Sequence, residues 1–262
     1  MPEVRYAVDD AIDLAYVLAL DPGVGLVTPR AVVLALSGNA LKAESRQRLI
    51  QLLEAGATVA PATRDDVLML LRRQADRAGR DGMLIIAIAS HGFSRKGVPY
   101  VLTSTSLGQE PQTAVATATV LEIAAQSRAE RALVLLDACR DQNAPRARAG
   151  TPLPIAATPL LEGMAHSDGH VILLAAPPGK YAYDDAGRKN GVFTTAVIDA
   201  LQCKADSDAH GLITAEALSH YVDDQVRSWV NTYHDPSSNQ AIQVQMDGTA
   251  GEIPLAICSK PK

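Results

Sequence analysis

Two apolar runs in this sequence end on side chains capable of covalent chemistry. In Leu84-Ile85-Ile86-Ala87-Ile88-Ala89-Ser90-His91-Gly92 the run stops at an imidazole followed by glycine. In Leu133-Val134-Leu135-Leu136-Asp137-Ala138-Cys139-Arg140 a run of the same kind stops at Asp-Ala-Cys. A thiol within such a run would be a small core residue, whereas one just beyond it is open to reactants. Cysteine attacks as the thiolate, so an imidazole that takes its proton is the partner this chemistry needs. A lone Cys is usually a packing residue and a lone His-Gly usually a loop. The two together, each at the end of an apolar run, nominate Cys139 as nucleophile and His91 as general base.

These side chains need elements to bring them together. Apolar runs that suit buried parallel strands fall at Ala31–Leu36, Met83–Ala89, Ala132–Leu136 and Val171–Ala175, with a shorter one at Tyr100–Leu102. Helical patterns occupy roughly 10–48, 64–78, 117–127, 190–202 and 214–230. Thr63-Arg64-Asp65-Asp66 reads as a helix start, with a hydroxyl cap and carboxylates near the positive end of the dipole. Alternating strands and helices predict an α/β fold with a mainly parallel sheet between helical layers. In such sheets ligands gather beyond the carboxyl ends of the strands, where both runs end. Residues 140–170, rich in Pro, Ala and Arg and weakly periodic, read as an exposed loop.

With these residues in view, the sequence resembles the caspase-like cysteine peptidases. Ser90-His91-Gly92 is similar to their His-Gly motif, and Asp137-Ala138-Cys139-Arg140 to the Asp-x-Cys of metacaspases and bacterial caspase homologues. The 48 residues from His91 to Cys139 are close to the roughly 50 seen in caspases. Val4-Arg5-Tyr6-Ala7-Val8-Asp9-Asp10-Ala11 resembles their first helix start, and Gly169–Ala176 with Gly191-Val192-Phe193-Thr194 the strand and helix of their small subunit. The resemblance implies one caspase-like domain over 1–262: a large-subunit-like region (1–145), a linker (146–168) and a small-subunit-like region (169–262). It implies His91 as base, Cys139 as acylated nucleophile, and the N–H groups of Gly92 and Cys139 as oxyanion hole. It also implies a first strand ahead of the first helix. Here the helix begins almost at once, so that strand is expected to be missing, and an empty slot would leave costly unpaired backbone groups.

Specificity follows from charge. Metacaspases that cut after Arg or Lys line their first pocket with carboxylates at positions matching Asp10 and Asp137, and paired carboxylates favour a guanidinium or ammonium. Ala89 stands where many metacaspases carry a serine that supports this pocket. Arg146 and Arg148 in the linker are candidate self-cleavage sites for such a specificity. No cofactor or metal is expected. Between His91 and Cys139 the acidic residues besides Asp137 are Glu110, Glu122 and Glu130, which do not suggest a calcium site. The stretch from Asp206 resembles an EF-hand loop but has Ala217 at the position that needs a bidentate carboxylate.

The remaining readings concern setting and partners. A net charge of −5 with scattered Lys and Arg argues against nucleic acid and suits protein or peptide substrates. Three cysteines without a close pair (Cys139, Cys203, Cys258) predict no disulfide framework and no zinc, hence a reducing, cytoplasmic setting. Neither a secretory signal after Met1 nor an apolar run of about 18 residues is present, so no membrane insertion is expected. A regulatory partner protein would be compatible with all of this. The competing reading is a catalytically silent caspase-like module that binds partners; a nucleotide-binding domain lacks its Gly-rich loop.

Overall fold

The computed structural model describes residues 5–138, 169–176, 182–205, 211–234, 241–246 and 248–258. The chain opens with α1 (Ala7–Leu20), then β1 (Val33–Leu36), α2 (Ala43–Glu54), β2 (Thr58–Pro61) and α3 (Arg64–Arg77). It continues through β3 (Met83–Ser90), β4 (Gly92–Arg95), β5 (Val98–Val101), β6 (Val115–Ala116), α4 (Thr117–Ala125) and β7 (Arg131–Ala138). The later elements are β8 (His170–Leu174), β9 (Asp184–Asp185), β10 (Asn190–Gly191), α5 (Val192–Asp199), β11 (Leu212–Thr214), α6 (Ala215–Tyr233), β12 (Gln243–Met246) and β13 (Pro254–Ile257).

The central sheet has the order β12-β8-β7-β3. β3, β7 and β8 run parallel and β12 antiparallel, which agrees with the mainly parallel α/β expectation. The β3–β7 ladder runs from Met83 opposite Arg131 to Ser90 opposite Ala138. β7 alternates strictly. Leu133 and Leu135 face a core built with α1, α5 and α6 through Leu14, Val17, Val197 and Leu218. Ala132, Val134 and Leu136 face a second core with α3 and α4 through Leu68 and Val120. Both faces are therefore apolar, as a covered parallel sheet requires.

α1 is buried on two sides. Leu14, Val17 and Leu18 meet the central sheet, while Ile12, Ala15 and Ala19 pack on Leu34 of β1 and Leu52 of α2. The parallel β1–β2 pair stands apart from the central sheet. Among the described residues no strand precedes α1, and none pairs with the outer edge of β3. The expected helical pattern over 10–48 resolves into α1, β1 and the start of α2. Thr63 caps α3 as predicted, its hydroxyl accepting the Asp66 N–H at 3.1 Å.

The expectation about the cysteines fails. Cys203 and Cys258 form a disulfide, with Cα atoms 5.6 Å apart. Their sequence separation of 55 hides the pair. It forms because β13 pairs antiparallel with β11, and the Cys258 N–H donates to Gly211 O at 2.9 Å, bringing the end of the chain back to the turn after α5. The premise for a reducing compartment is thereby lost. No helix among the described residues is long and apolar enough to cross a membrane.

Candidate active site

The alternation along β7 decides where Asp137 goes. Continuing the odd-numbered series of Leu133 and Leu135, it turns toward the face covered by α1 and α5. Its partner across the ladder is Ala89, whose methyl leaves room beside the carboxylate. A small pocket opens there, lined by Asp10, Ala87, Ala89, Asp137, Phe193 and Thr194. The structure thus brings together the two carboxylates nominated from the sequence.

Both are held at the start of α5. The Gly191 N–H donates to Asp10 Oδ1 and Oδ2 at 2.9 and 3.1 Å, and the Thr194 hydroxyl donates to Asp137 Oδ2 at 2.9 Å. A helix N-terminus suits this task because its first N–H groups have no partner within the helix. The carboxylates converge on Gly191: a β-carbon there would lie 2.6 Å from Asp137 Oδ2 and 3.2 Å from Asp10 Oδ2. Glycine is required by space, not by dihedral freedom.

Enclosure away from water raises the pKa of both acids. For Asp10, burial acts first and the Asp137 charge second; the donors Asn190 and Gly191 offset part of this, and Asp184 adds to it. Asp137 is pushed up to about 6, by burial first, opposed by Thr194 and reinforced by Asp184. Asp184 lies opposite Gly191 in the β9–β10 pair, and burial raises it too, against the pull of Arg5. Asp184 is exposed, however, and stands outside the pocket lining, so the acids enclosed there are Asp10 and Asp137, whose ionised forms a neighbouring positive charge would favour.

The neighbouring acids of α1 behave differently. Asp9 is fully buried and accepts the Leu41 and Lys42 N–H groups at 3.0 and 2.9 Å, fixing the turn that leads into α2. Asp13 is buried, yet its pKa is lowered, because bonds from Lys42, Ser45, Arg48 and Asn190 outweigh desolvation.

His91 directly follows β3 and is half-buried; its carbonyl accepts the Leu102 N–H at 2.8 Å. Gly92 is buried and opens β4 opposite Val101. The described β3–β7 ladder ends at Ser90–Ala138, each one residue short in sequence of a proposed catalytic residue. Cys139, Arg146 and Arg148 lie outside the described residues. Sequence reasoning missed Asn190, Thr194, Asp184 and Lys42. The signal for Asn190 was the Asn-Gly pair, a turn signature at the head of the helix expected over 190–202, where the structure instead has β10 ahead of α5.

No curated protein matches the chain. The caspase domain, as a peptidase family, matches residues 37–246, a span that includes His91, Asp137 and Cys139 and starts after α1. A match over well more than half of the sequence, on an α/β fold with a mainly parallel sheet, places this chain in the caspase-domain family of cysteine peptidases.

Proposed function

We propose that the protein is a cysteine endopeptidase that cleaves after Arg or Lys, with Cys139 as nucleophile and His91 as base. The observation that carries this reading is the convergence of Asp10 and Asp137 on Gly191, in a pocket at the carboxyl ends of β3 and β7. Two carboxylates in a shared, poorly hydrated space favour a guanidinium or ammonium and repel an acidic side chain. The backbone roles are those that the caspase resemblance implies. The Cys139 sulfur bonds to the scissile carbonyl carbon as its proton passes to His91. The developing oxyanion takes hydrogen bonds from the Gly92 and Cys139 N–H groups, and His91 returns the proton to the departing amine. A water molecule, deprotonated by His91, then releases the acyl group and restores the thiol.

A fluorogenic series differing only in the residue before the cleaved bond tests this, with Cys139→Ala as control. Arginyl and lysyl substrates are expected to turn over and aspartyl ones not, with no turnover by Cys139→Ala. His91→Ala should lose roughly 10²–10⁴-fold. Faster cleavage after Asp would refute the acidic pocket. Absence of turnover, together with no labelling of Cys139 by a basic-peptide warhead, would instead identify a silent binding module.

Self-processing belongs to the same reading. The chain is taken as one domain with a linker at 146–168, and Arg146 and Arg148 match the proposed specificity. Active protein should then yield fragments of about 16 and 12 kDa that stay associated through the shared sheet, while Cys139→Ala stays intact. Intact-mass analysis decides it: a single uncleaved species with full activity rules processing out. The cytoplasmic setting read from the sequence would keep Cys203 and Cys258 reduced; the bond between them favours an oxidising compartment.

A further inference from the structure

Beside the pocket lies a buried polar chain that the proposed chemistry does not use. Asn190 is 6% exposed and joins three elements. Its amide nitrogen donates to Asp10 Oδ1 at 2.9 Å and to Asp13 Oδ2 at 3.1 Å, and its amide oxygen accepts from Lys42 Nζ at 2.6 Å. Lys42 Nζ also bonds Asp13 Oδ2. Asp13 takes further bonds from the Ser45 hydroxyl at 2.8 Å and Arg48 Nη1 at 3.0 Å.

The polarity of that amide is not free. An ammonium has only donors, so Lys42 requires the amide oxygen on its own side. The amide NH₂ must therefore face Asp10. Asp10 Oδ1 is then saturated by Asn190 and by the Gly191 N–H at 2.9 Å. Its other oxygen, Oδ2, takes only the longer share of the Gly191 N–H, at 3.1 Å, and is the one near Asp137 Oδ2 over the Gly191 α-carbon.

We infer that Asn190, with its amide direction fixed by Lys42, is a positioning residue for recognition of the basic side chain: it holds Asp10 with Oδ1 anchored by two donors and the less engaged Oδ2 presented to the pocket. This rests on the acidic-pocket reading given above. Asp13, Ser45 and Arg48 hold the lysine end of the chain. The charged groups facing Asp10 are Asp13 on its own helix, Asp137 of β7, Asp184 of β9, and Lys42 across the amide. An amide donor to a carboxylate favours the ionised form, so the chain also keeps Asp10 available as an anion at lower pH than the pocket alone would allow.

The test uses agmatine, a small guanidinium compound, binding to the full chain carrying Cys139→Ala, so that no turnover is needed. Affinity is measured between pH 5 and 8. Asn190→Leu should weaken binding roughly tenfold or more, the scale of one hydrogen bond to a charged group. Its affinity should also begin to fall at a higher pH than that of the parent, because Asp10 protonates more readily without its donor. Lys42→Met should move both quantities the same way by less, and Lys42→Arg should restore them. Circular dichroism confirms that each variant is folded; if Asn190→Leu does not fold, the Lys42 pair decides. Equal affinity and pH profile in parent and Lys42→Met overturn the inference while leaving the pocket intact. Failure of the parent to bind agmatine at any pH overturns the acidic pocket and the inference with it.

Discussion

Asp10 and Asp13 sit three residues apart on one face of α1, and burial pushes both upward, yet their partners leave them shifted in opposite directions. Asp13 is ringed by cations and donors and stays below the ordinary carboxylate range; Asp10 and Asp137 share a pocket and rise above it. The stability consequences have opposite signs. A carboxylate lowered in the folded state, like Asp13, contributes stability above its unfolded value and loses it in acid. One that is raised, like Asp137, contributes in acid, and that contribution is lost as pH rises from about 4 through its folded value of about 6. Asp137→Asn removes the second effect. Relative to the parent it should be more stable at pH 7.5 by up to about 3 kcal/mol, with the difference vanishing near pH 4. Urea unfolding of both proteins at the two pH values measures it. An identical difference at both would mean that Asp137 is not titrating abnormally.

At the scale of elements the pocket is a junction: β7 delivers Asp137, α1 delivers Asp10, and the β10–α5 turn clamps both. Gly191 is the tightest point of that junction. Gly191→Ala places a methyl against two carboxylate oxygens, an overpacking that should cost about 1–3 kcal/mol. It should also reduce turnover of arginyl substrates, while small alkylating agents still react with the thiol. A peptidase assay alongside iodoacetamide labelling separates the two effects. This junction also marks the limit of what was legible in the sequence. The apolar runs of β7 and β8 announced themselves because strands covered on both faces need apolar residues at every position, the edge strand β3 carried a similar run, and Asp137 was conspicuous as the first break in its own. Asp10 could be named only through resemblance, since an acid in the first turn of a helix looks like any other dipole partner. Asn190, Lys42 and Asp184 were silent. Their roles depend on which turn packs on which helix across 148 residues of chain, as in the Lys42–Asn190 bond, and no local pattern encodes that. The Cys203–Cys258 bond was missed for the same reason.

Across the whole molecule that disulfide joins the segment after α5 to the segment after β13. It closes a long loop, so its effect falls chiefly on the unfolded chain, where a closure of 55 residues is worth about 4 kcal/mol in the chain-entropy model. The native contacts around it do not depend on it: Ala200, Leu201, Ile213, Leu255 and Ala256 belong to the same buried core as Phe193 and Val197 of α5. α5 should therefore keep Asp10 and Asp137 clamped after reduction. The doubly substituted Cys203→Ser, Cys258→Ser protein is expected to melt roughly 10 °C lower than the oxidised parent, yet to show the parent's KM for an arginyl substrate at 25 °C. Reduced parent should match the double variant in both respects, which matters because a thiol peptidase is assayed in reductant. Equal melting temperatures for oxidised parent and double variant would mean that the bond does not form in solution. A changed KM with an unchanged melting temperature would mean that the C-terminal strands act on the pocket directly.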